Sequence, residues 1–204
     1  MSTLKSSRAL TPKGTATRDR IVAIAARLIA KHGAAETTIE DVCEAARVSP
    51  SQLYHYFKNK MALVRAVIAF QTQAVMDNQR DFLGHLDSVA ALRRWRDHLV
   101  ALQEDGGCKG GCPLGTLSSE LAETSPQARN ALAASFEVWE EGIRSGLRAM
   151  HERGVLRRDA DPERLALATL AALQGGLLLT QSRRDPAPLG VALDVVIDRI
   201  ASLT

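Results

Sequence analysis

The sequence predicts an all-α protein, with an N-terminal three-helix head followed by a larger C-terminal helical bundle. Hydrophobic residues make up 46% of the 204 residues and aromatic residues only 4%. Apolar residues recur at intervals of three and four, and no stretch shows the alternation of β-branched residues that is typical of strands. A chain of this length can bury a substantial core, and its pattern favours helices throughout.

The chain begins with a polar stretch, residues 1–16, that is rich in Ser, Thr, Lys and Gly. We interpret this stretch as a flexible basic arm. A first helix is predicted from Thr17 to His32, because apolar residues from Ile21 to Ile29 form one stripe. Gly33 follows as the expected C-terminal cap.

Residues 38–60 have the pattern of two short helices joined by a tight turn. Thr38 precedes Asp41 by three residues, which is the spacing of a capping box, and Ser49-Pro50-Ser51-Gln52 is a second start signal. The polar outer face of the second helix is typical of a helix-turn-helix, whose second helix enters the major groove of DNA. The alternative is a helical hairpin whose polar face only meets water.

Charge is distributed unevenly between the two parts of the chain. Residues 1–65 carry eleven Lys and Arg residues and five Asp and Glu residues, a net charge of +6. Residues 66–204 carry fifteen and eighteen, a net charge of −3. Cations concentrated around the predicted helix-turn-helix suit the neutralisation of DNA phosphates.

The remaining helices follow from apolar spacing and start signals. A long fourth helix is predicted from Asn59-Lys60 towards Leu83-Gly84. Further helices are predicted from Ser88 to Asp105, from Leu114 to Ala122, from Ser125 to Arg153, after Asp161-Pro162, and from Pro186 to Thr204.

The last two helices predict a homodimer. The helix after Pro162 is apolar nearly all round, so it requires cover from its own domain and from a partner. Gly175-Gly176 would permit close backbone approach, and Leu189 to Leu203 follow a heptad-like order. Doubled by two-fold symmetry, these helices would form a four-helix seam.

Several classes of protein are disfavoured. The first seventeen residues lack an apolar signal-peptide core, and Leu165–Thr180 is too short to span a bilayer, so we expect a cytoplasmic protein without a membrane partner. Three cysteines fit a reducing compartment. No catalytic motif appears, so we predict no enzyme and no cofactor. Cys108, Cys112 and the distant His98 do not form a metal site, and none is predicted.

Residues Thr17–Val67 resemble the DNA-binding head of a TetR/AcrR-type transcriptional regulator. The resemblance is carried by the residues Arg20-Ile21, Ala25, Leu28, Gly33, Thr38-Ile39, Asp41-Val42, Ala46, Val48-Ser49, Leu53-Tyr54, Tyr56-Phe57, Lys60 and Leu63. It implies an arm over residues 1–16, a DNA-binding domain over 17–62 and an effector-binding and dimerisation domain over 63–204. It also implies a homodimeric regulator, expected to be a repressor, that binds palindromic operator DNA and is released by a small-molecule effector.

The resemblance also assigns roles to individual residues of the head. Thr38 would contact a phosphate from the second helix. The remaining residues divide into those that would hold the DNA backbone, Ser49, Tyr54, Tyr56 and Lys60, and those that would face the bases, Ser51, Gln52 and His55. Two positions depart from the family pattern, because Arg47 and Ser51 stand where glycine is common. Arg47 would then have to accept a helix-ending conformation, with positive φ as one option.

The effector pocket is expected among inward-facing residues of the bundle, and its ligand is expected to be largely apolar. The candidate lining residues are Trp95, Leu99, Cys112, Leu117, Phe136, Trp139, Ile143, Leu173 and Gln174. Gln174 is the candidate polar anchor because it interrupts an apolar helix. Both tryptophans could instead be core residues.

Cys108 and Cys112 offer a second way to sense a signal. The stretch Gly-Cys-Pro-Leu-Gly at Cys112 resembles a cysteine-bearing variant of TetR-type bodies in which the thiol senses oxidants or electrophiles. Cys112 lies near a helix N-terminus with Lys109 close by, where a thiolate would be stabilised, and Cys108 could resolve it as a disulfide. Alternatively, both thiols are structural. A third alternative is a helical module that dimerises without binding DNA.

Overall fold

The computed structural model describes residues 10–204, and every regular element in that range is an α-helix. The all-α prediction is therefore confirmed, while residues 1–9 of the predicted arm lie outside the described residues. The helices are α1 (Pro12–His32), α2 (Ile39–Ala46), α3 (Pro50–Tyr56), α4 (Lys60–Asp77), α5 (Arg80–Leu83), α6 (Val89–Asp105), α7 (Pro113–Leu121), α8 (Pro126–Glu152), α9 (Pro162–Arg183) and α10 (Ala187–Ala201).

The chain divides into two compact units, and the division falls within α4, between Phe70 and Gln71. The first unit contains α1, α2, α3 and the first part of α4. The second contains the rest of the chain. The predicted boundaries between the arm, the DNA-binding domain and the effector-binding domain, after residues 16 and 62, stay predictions.

The first helix begins five residues earlier than predicted, at Pro12 rather than Thr17. Thr11 caps it, because its side-chain oxygen accepts a hydrogen bond from the Gly14 N–H at 3.2 Å. Pro12 occupies the first helical position, where its missing N–H has no cost. Gly33 ends the helix with a φ of 89°, as the sequence predicted.

The prediction that the fourth helix continues to Leu83-Gly84 is wrong, because α4 ends at Asp77 and α5 is a separate short helix. The break is at Gln79, whose side chain is buried. Its Nε2 donates to the Val75 carbonyl at 3.1 Å, and its Oε1 accepts from the Trp95 indole N–H at 3.0 Å. A buried amide requires such partners, and they hold the chain in a turn here.

The core of the second unit lies where α9 packs against α8 and α10, with α10 also contacting α6. Gly176 permits this packing, because a Cβ there would lie 2.9 Å from the Leu189 Cα. The predicted close approach of Gly175-Gly176 is thus made by Gly176, while Gly175 is exposed.

Helix α9 also has the length and composition of a membrane-spanning helix. It is the one such helix found within residues 10–204, and 44% of its most apolar window is buried in the protein. Core helices of soluble proteins can have the same length and apolar composition, so these two properties are weak support for a membrane span.

One face of α9 and α10 leaves large apolar side chains exposed. The exposed fraction lies between 46% and 64% for Leu167, Leu178, Leu179, Val191 and Val195. The prediction that α9 needs cover on all sides is therefore unmet within a single chain. An apolar face of this kind is typical of an interaction surface.

Candidate functional site

Helix α2 begins with the predicted capping box. The Thr38 hydroxyl oxygen accepts from the Asp41 N–H at 3.1 Å, and the Asp41 carboxylate accepts from the Thr38 N–H at 2.8 Å and hydroxyl at 2.7 Å. These hydrogen bonds, the side-chain one first, lower the pKa of Asp41 below its ordinary value. The carboxylate therefore stays ionised at the positive end of the helix dipole.

The turn between α2 and α3 depends on Arg47. This residue ends α2 in the left-handed conformation, with φ 51° and ψ 50°, and its N–H donates to the Glu44 carbonyl at 3.1 Å. The positive φ that the sequence allowed at this position is therefore present. A residue other than glycine is strained in this conformation, because its Cβ lies too close to the following carbonyl oxygen.

Helix α3 is held at its N-terminus by a second capping box and inside by two apolar side chains. The Gln52 N–H donates to Ser49 Oγ at 3.1 Å, and the Ser49 N–H donates to Gln52 Oε1 at 3.0 Å. Leu53 and Phe57 are buried, and the Arg18 guanidinium lies 5.4 Å from the centre of the Phe57 ring. Since Gln52 Oε1 is used by the cap, Gln52 Nε2 is the atom left to donate outward.

The residues that the resemblance assigns to DNA all lie at least partly exposed on α2, α3, their N-caps or the first residue of α4. Exposed residues are Thr38, Ser49, Ser51, Gln52, Tyr54 and His55, and half-buried ones are Tyr56 and Lys60. The Lys60 ammonium donates to the Ala35 carbonyl at 3.0 Å, which leaves two of its three protons for a phosphate. Residues 45–76 include Arg47, Lys58, Lys60 and Arg65 but no Asp or Glu. Within residues 45–76, donors and cations thus occur without carboxylates, which suits a polyanion. Thr38, outside this stretch, lies beside the Asp41 carboxylate.

Most of the residues predicted for the effector pocket lie in the hydrophobic core of the second unit. Those that are at most 5% exposed are Trp95, Leu99, Leu117, Trp139, Ile143 and Leu173, while Phe136 is half-buried. The indole N–H of Trp139 is buried without a hydrogen-bond partner among the described residues. A pocket among these side chains stays a prediction.

A cavity of about 510 Å³, which we call the α7–α9 cavity, lies between α7 and α9. Of the predicted pocket residues, Cys112 and Gln174 line it. The sequence reasoning missed its other lining residues, which are Gly115, Thr116, Ser119, Glu120, Gly175, Leu178 and Gln181. One available signal was the pair Gln174 and Gln181, seven residues apart on one face of an apolar helix.

Cys112 is the N-cap of α7, and its Sγ accepts from the Gly115 N–H at 3.4 Å. Burial raises the pKa of the Cys112 thiol, and the N–H groups of Gly115 and Leu114 and the Gln174 side chain offset part of that effect. The sequence predicted a lowered thiol pKa, because a helix N-terminus stabilises a thiolate. The raised pKa is opposite to that prediction, because the loss of solvent around the thiol outweighs the N–H groups at the helix end. Cys108 is also buried, and its carbonyl accepts from Arg184 Nη1 at 2.9 Å.

Known proteins match both units of the chain. The model of the family "Bacterial regulatory proteins, tetR family" matches residues 21–67, and that of "Tetracyclin repressor-like, C-terminal domain" matches residues 88–196. The HTH-type transcriptional repressor DhaR of Mycobacterium sp. (strain GP1) is 29% identical over 93% of this chain and 95% of its own length. The transcriptional regulator AcuR of Cereibacter sphaeroides is 29% identical over 79% of this chain and 74% of its own.

Solved structures agree with these sequence matches. A TetR transcriptional regulator from Chloroflexus aurantiacus superposes with a TM-score of 0.79, at 28% identity, over 93% of this chain and 96% of that one. Its similarity extends over both units, and the relatives are regulators rather than enzymes. The chain therefore belongs to the TetR family of bacterial transcriptional regulators.

Proposed function

We propose that this regulator binds palindromic operator DNA as a homodimer, represses transcription, and releases the DNA when a small molecule binds its second unit. The observation that carries the proposal is the outer face of α3, which the Ser49–Gln52 capping box and the buried Leu53 hold in place and which bears no Asp or Glu. The name of the relative DhaR, a repressor, supports the sign of the regulation.

The exposed residues of the head divide by chemistry into two groups. Ser49, Tyr54, Tyr56 and Lys60 carry hydroxyl or ammonium donors, and we assign them to phosphates, which fix the register of the protein on DNA. We also assign Thr38 to a phosphate, a contact for which its hydroxyl would exchange its hydrogen bond to the Asp41 carboxylate. We assign Ser51, Gln52 and His55 to base edges in the major groove. Gln52 can still donate through Nε2, although its Oε1 caps α3.

Dimerisation through α9 and α10 is supported by their exposed apolar face. Val191 and Val195 lie one helical turn apart on α10, and Leu178 stands out from α9, each more than 60% exposed. A two-fold interface brings the same patch from both copies together. Two heads could then contact two half-sites, which is what a palindromic operator offers.

Release by an effector requires that the ligand bind the DNA-incompetent state more tightly than the DNA-bound state. A tenfold loss of operator affinity corresponds to about 1.4 kcal/mol of coupling. The α7–α9 cavity and the predicted pocket around Trp95 and Trp139 are the two candidate sites for this ligand.

A thiol-based sensor at Cys112, with Cys108 as its partner, is the alternative. Burial works against it, because a raised thiol pKa leaves little of the reactive thiolate at neutral pH. A helical module without DNA binding is the other alternative, and the cation-bearing, acid-free stretch from residue 45 to 76 counts against it.

The proposal is tested by footprinting the protein on the DNA that flanks its own coding region. We expect protection of two symmetric half-sites about one helical turn apart or a multiple of it. Gln52→Ala is expected to relax discrimination at one base pair per half-site, by roughly 1–3 kcal/mol. The Lys58→Ala variant is the control, since it removes a charge without a predicted base contact. Protection of a single asymmetric site, or none, would reject the proposal.

A further inference from the structure

We infer that the Arg47 guanidinium binds a phosphate of the DNA backbone beside α3, a contact that is additional to the residues assigned to DNA above. The inference rests on the proposed function for the presence of DNA at the head. It adds one cation to the contacts that fix the register of the protein on the duplex. It also accounts for an arginine at a turn position where glycine would lie without strain.

The first argument is backbone strain that brings no gain within the turn. Arg47 adopts a φ of 51° and a ψ of 50°, the left-handed conformation that a residue with a Cβ adopts at a cost. The turn is closed by main-chain groups, since the Arg47 N–H donates to the Glu44 carbonyl at 3.1 Å. The Val48 N–H donates to the Cys43 carbonyl at 3.0 Å. A glycine would make the same hydrogen bonds, so the turn does not require the arginine side chain.

The second argument is that the guanidinium has no partner within the part of the chain that the structure describes. Arg47 is exposed, whereas its neighbour Ala46 is buried and Val48 is half-buried. Over residues 10–204, no hydrogen bond, ion pair or ring contact involves the Arg47 side chain. A strained residue points to a function when nothing in its own protein repays the strain. The side chain is therefore expected to contact a ligand outside the chain.

The third argument is the position of Arg47 between the two helices of the helix-turn-helix. It lies two residues before Ser49, the N-cap of α3, so the two Cα atoms are at most about 7.6 Å apart. In this motif the second helix enters the major groove with its N-terminal residues at base edges, while the first helix crosses the DNA backbone. A side chain in the turn between them is therefore nearer to the phosphates at the edge of the groove than to the bases.

The fourth argument is charge. No Asp or Glu occurs from residue 45 to residue 76, and Glu44, the nearest carboxylate in the sequence, forms no ion pair with Arg47 in the described part of the chain. Arg47 therefore gives up no ion pair when it binds an anion. A guanidinium is always charged, and its planar fork of donors fits two oxygens of one phosphate.

Three substitutions separate the charge of Arg47 from its backbone conformation. Arg47→Gln removes the charge but keeps an unbranched side chain and the left-handed strain. Arg47→Gly removes both the charge and the strain, and Arg47→Lys keeps both. Each full-length protein is titrated onto a duplex from the DNA flanking its own coding region and onto an unrelated duplex of equal length. Fluorescence anisotropy gives the dissociation constants over a range of salt concentrations.

We expect Arg47→Gln and Arg47→Gly to weaken binding to both duplexes about five- to tenfold at 0.1 M salt. Both should reduce the slope of the logarithm of affinity against the logarithm of salt by about one, whereas Arg47→Lys should keep the slope. Thermal unfolding of the same proteins should show that Arg47→Gly is more stable than the wild type and Arg47→Gln about as stable. Weaker binding then cannot come from a loosened turn.

Arg158→Gly is the matched control, because Arg158 is an exposed arginine of the second unit and lies outside the set of positive-φ residues. It should leave both the affinity and the slope unchanged.

The inference is overturned if Arg47→Gln and Arg47→Gly bind both duplexes as the wild type does. A loss confined to the flanking duplex would also overturn it, because Arg47 would then read a base. A loss in Arg47→Gly alone would overturn it as well, because the cause would be the turn. If the wild type binds neither duplex, the proposed function fails together with the inference, whereas equal salt-dependent binding by all four proteins rejects the inference alone.

Discussion

At the scale of single residues, Arg47 shows how the head tolerates a departure from the family pattern. The family commonly has glycine at this turn, and Arg47 adopts the left-handed conformation that glycine adopts without strain. The turn is closed by the Arg47 and Val48 N–H groups, which donate to the Glu44 and Cys43 carbonyls at 3.1 and 3.0 Å, and Ser49 then caps α3. Compared with glycine, the arginine raises the conformational energy of the backbone at this position.

Arg47→Gly is therefore expected to stabilise the protein, by about 1 kcal/mol, because relief of the left-handed strain exceeds the added entropy of the unfolded chain. Thermal unfolding followed by circular dichroism measures the change. Arg158→Gly is the matched control, since Arg158 is exposed and lies outside the set of positive-φ residues. Equal effects of the two substitutions would contradict this explanation of the turn.

At the scale of elements, α8 is fixed against the chain between α5 and α6 by a glycine contact. A Cβ at Gly146 would lie 2.6 Å from the Leu86 carbonyl carbon and 2.9 Å from its Cβ. Leu86 is fully buried. The two segments therefore have no room for a larger residue.

Gly146→Ala is expected to destabilise the protein by about 1–3 kcal/mol, because the clash is with backbone and requires the segments to separate. Chemical denaturation measures the free energy of unfolding. Gly84→Ala is the control, because the nearest atom to its added Cβ is 4.0 Å away. A Gly146→Ala protein as stable as the control would show that the contact is looser than described.

Elements whose limits are set locally could be predicted from the sequence. Thr38, Ser49 and Asp161 cap their helices through atoms two to three residues away, and the sequence shows such spacings directly. The break after α4 could not be predicted, because it depends on Gln79 and Trp95, which are 16 residues apart.

The site shows the same contrast. The exposed residues of α3 follow from helical periodicity, so the candidate DNA surface could be predicted. The α7–α9 cavity depends on which faces of two distant helices meet, and only Cys112 and Gln174 were anticipated there. Trp95 has an apolar environment that suits either a core or a pocket, and periodicity does not distinguish them.

At the scale of the whole molecule, the exposed apolar face of α9 and α10 supports the proposed homodimer. We expect Val191→Glu to weaken dimerisation by more than about 100-fold, because two-fold symmetry would bury the unpaired charge twice. Sedimentation equilibrium measures the dissociation constant. Val155→Glu is the control, since Val155 is 40% exposed but lies outside α9 and α10. A Val191→Glu protein that stays as dimeric as the control would place the interface elsewhere.

The most direct test of the account is the affinity for operator duplex, taken from the DNA flanking its own coding region, measured over a range of salt concentrations. The account predicts that the logarithm of the affinity falls steeply and linearly with the logarithm of salt, by about 0.9 per phosphate neutralised. Lys60→Ala should reduce that slope by about one, whereas Lys109→Ala, in the second unit, should not. Failure to bind the duplex even in dilute salt, or an affinity insensitive to salt, would contradict it.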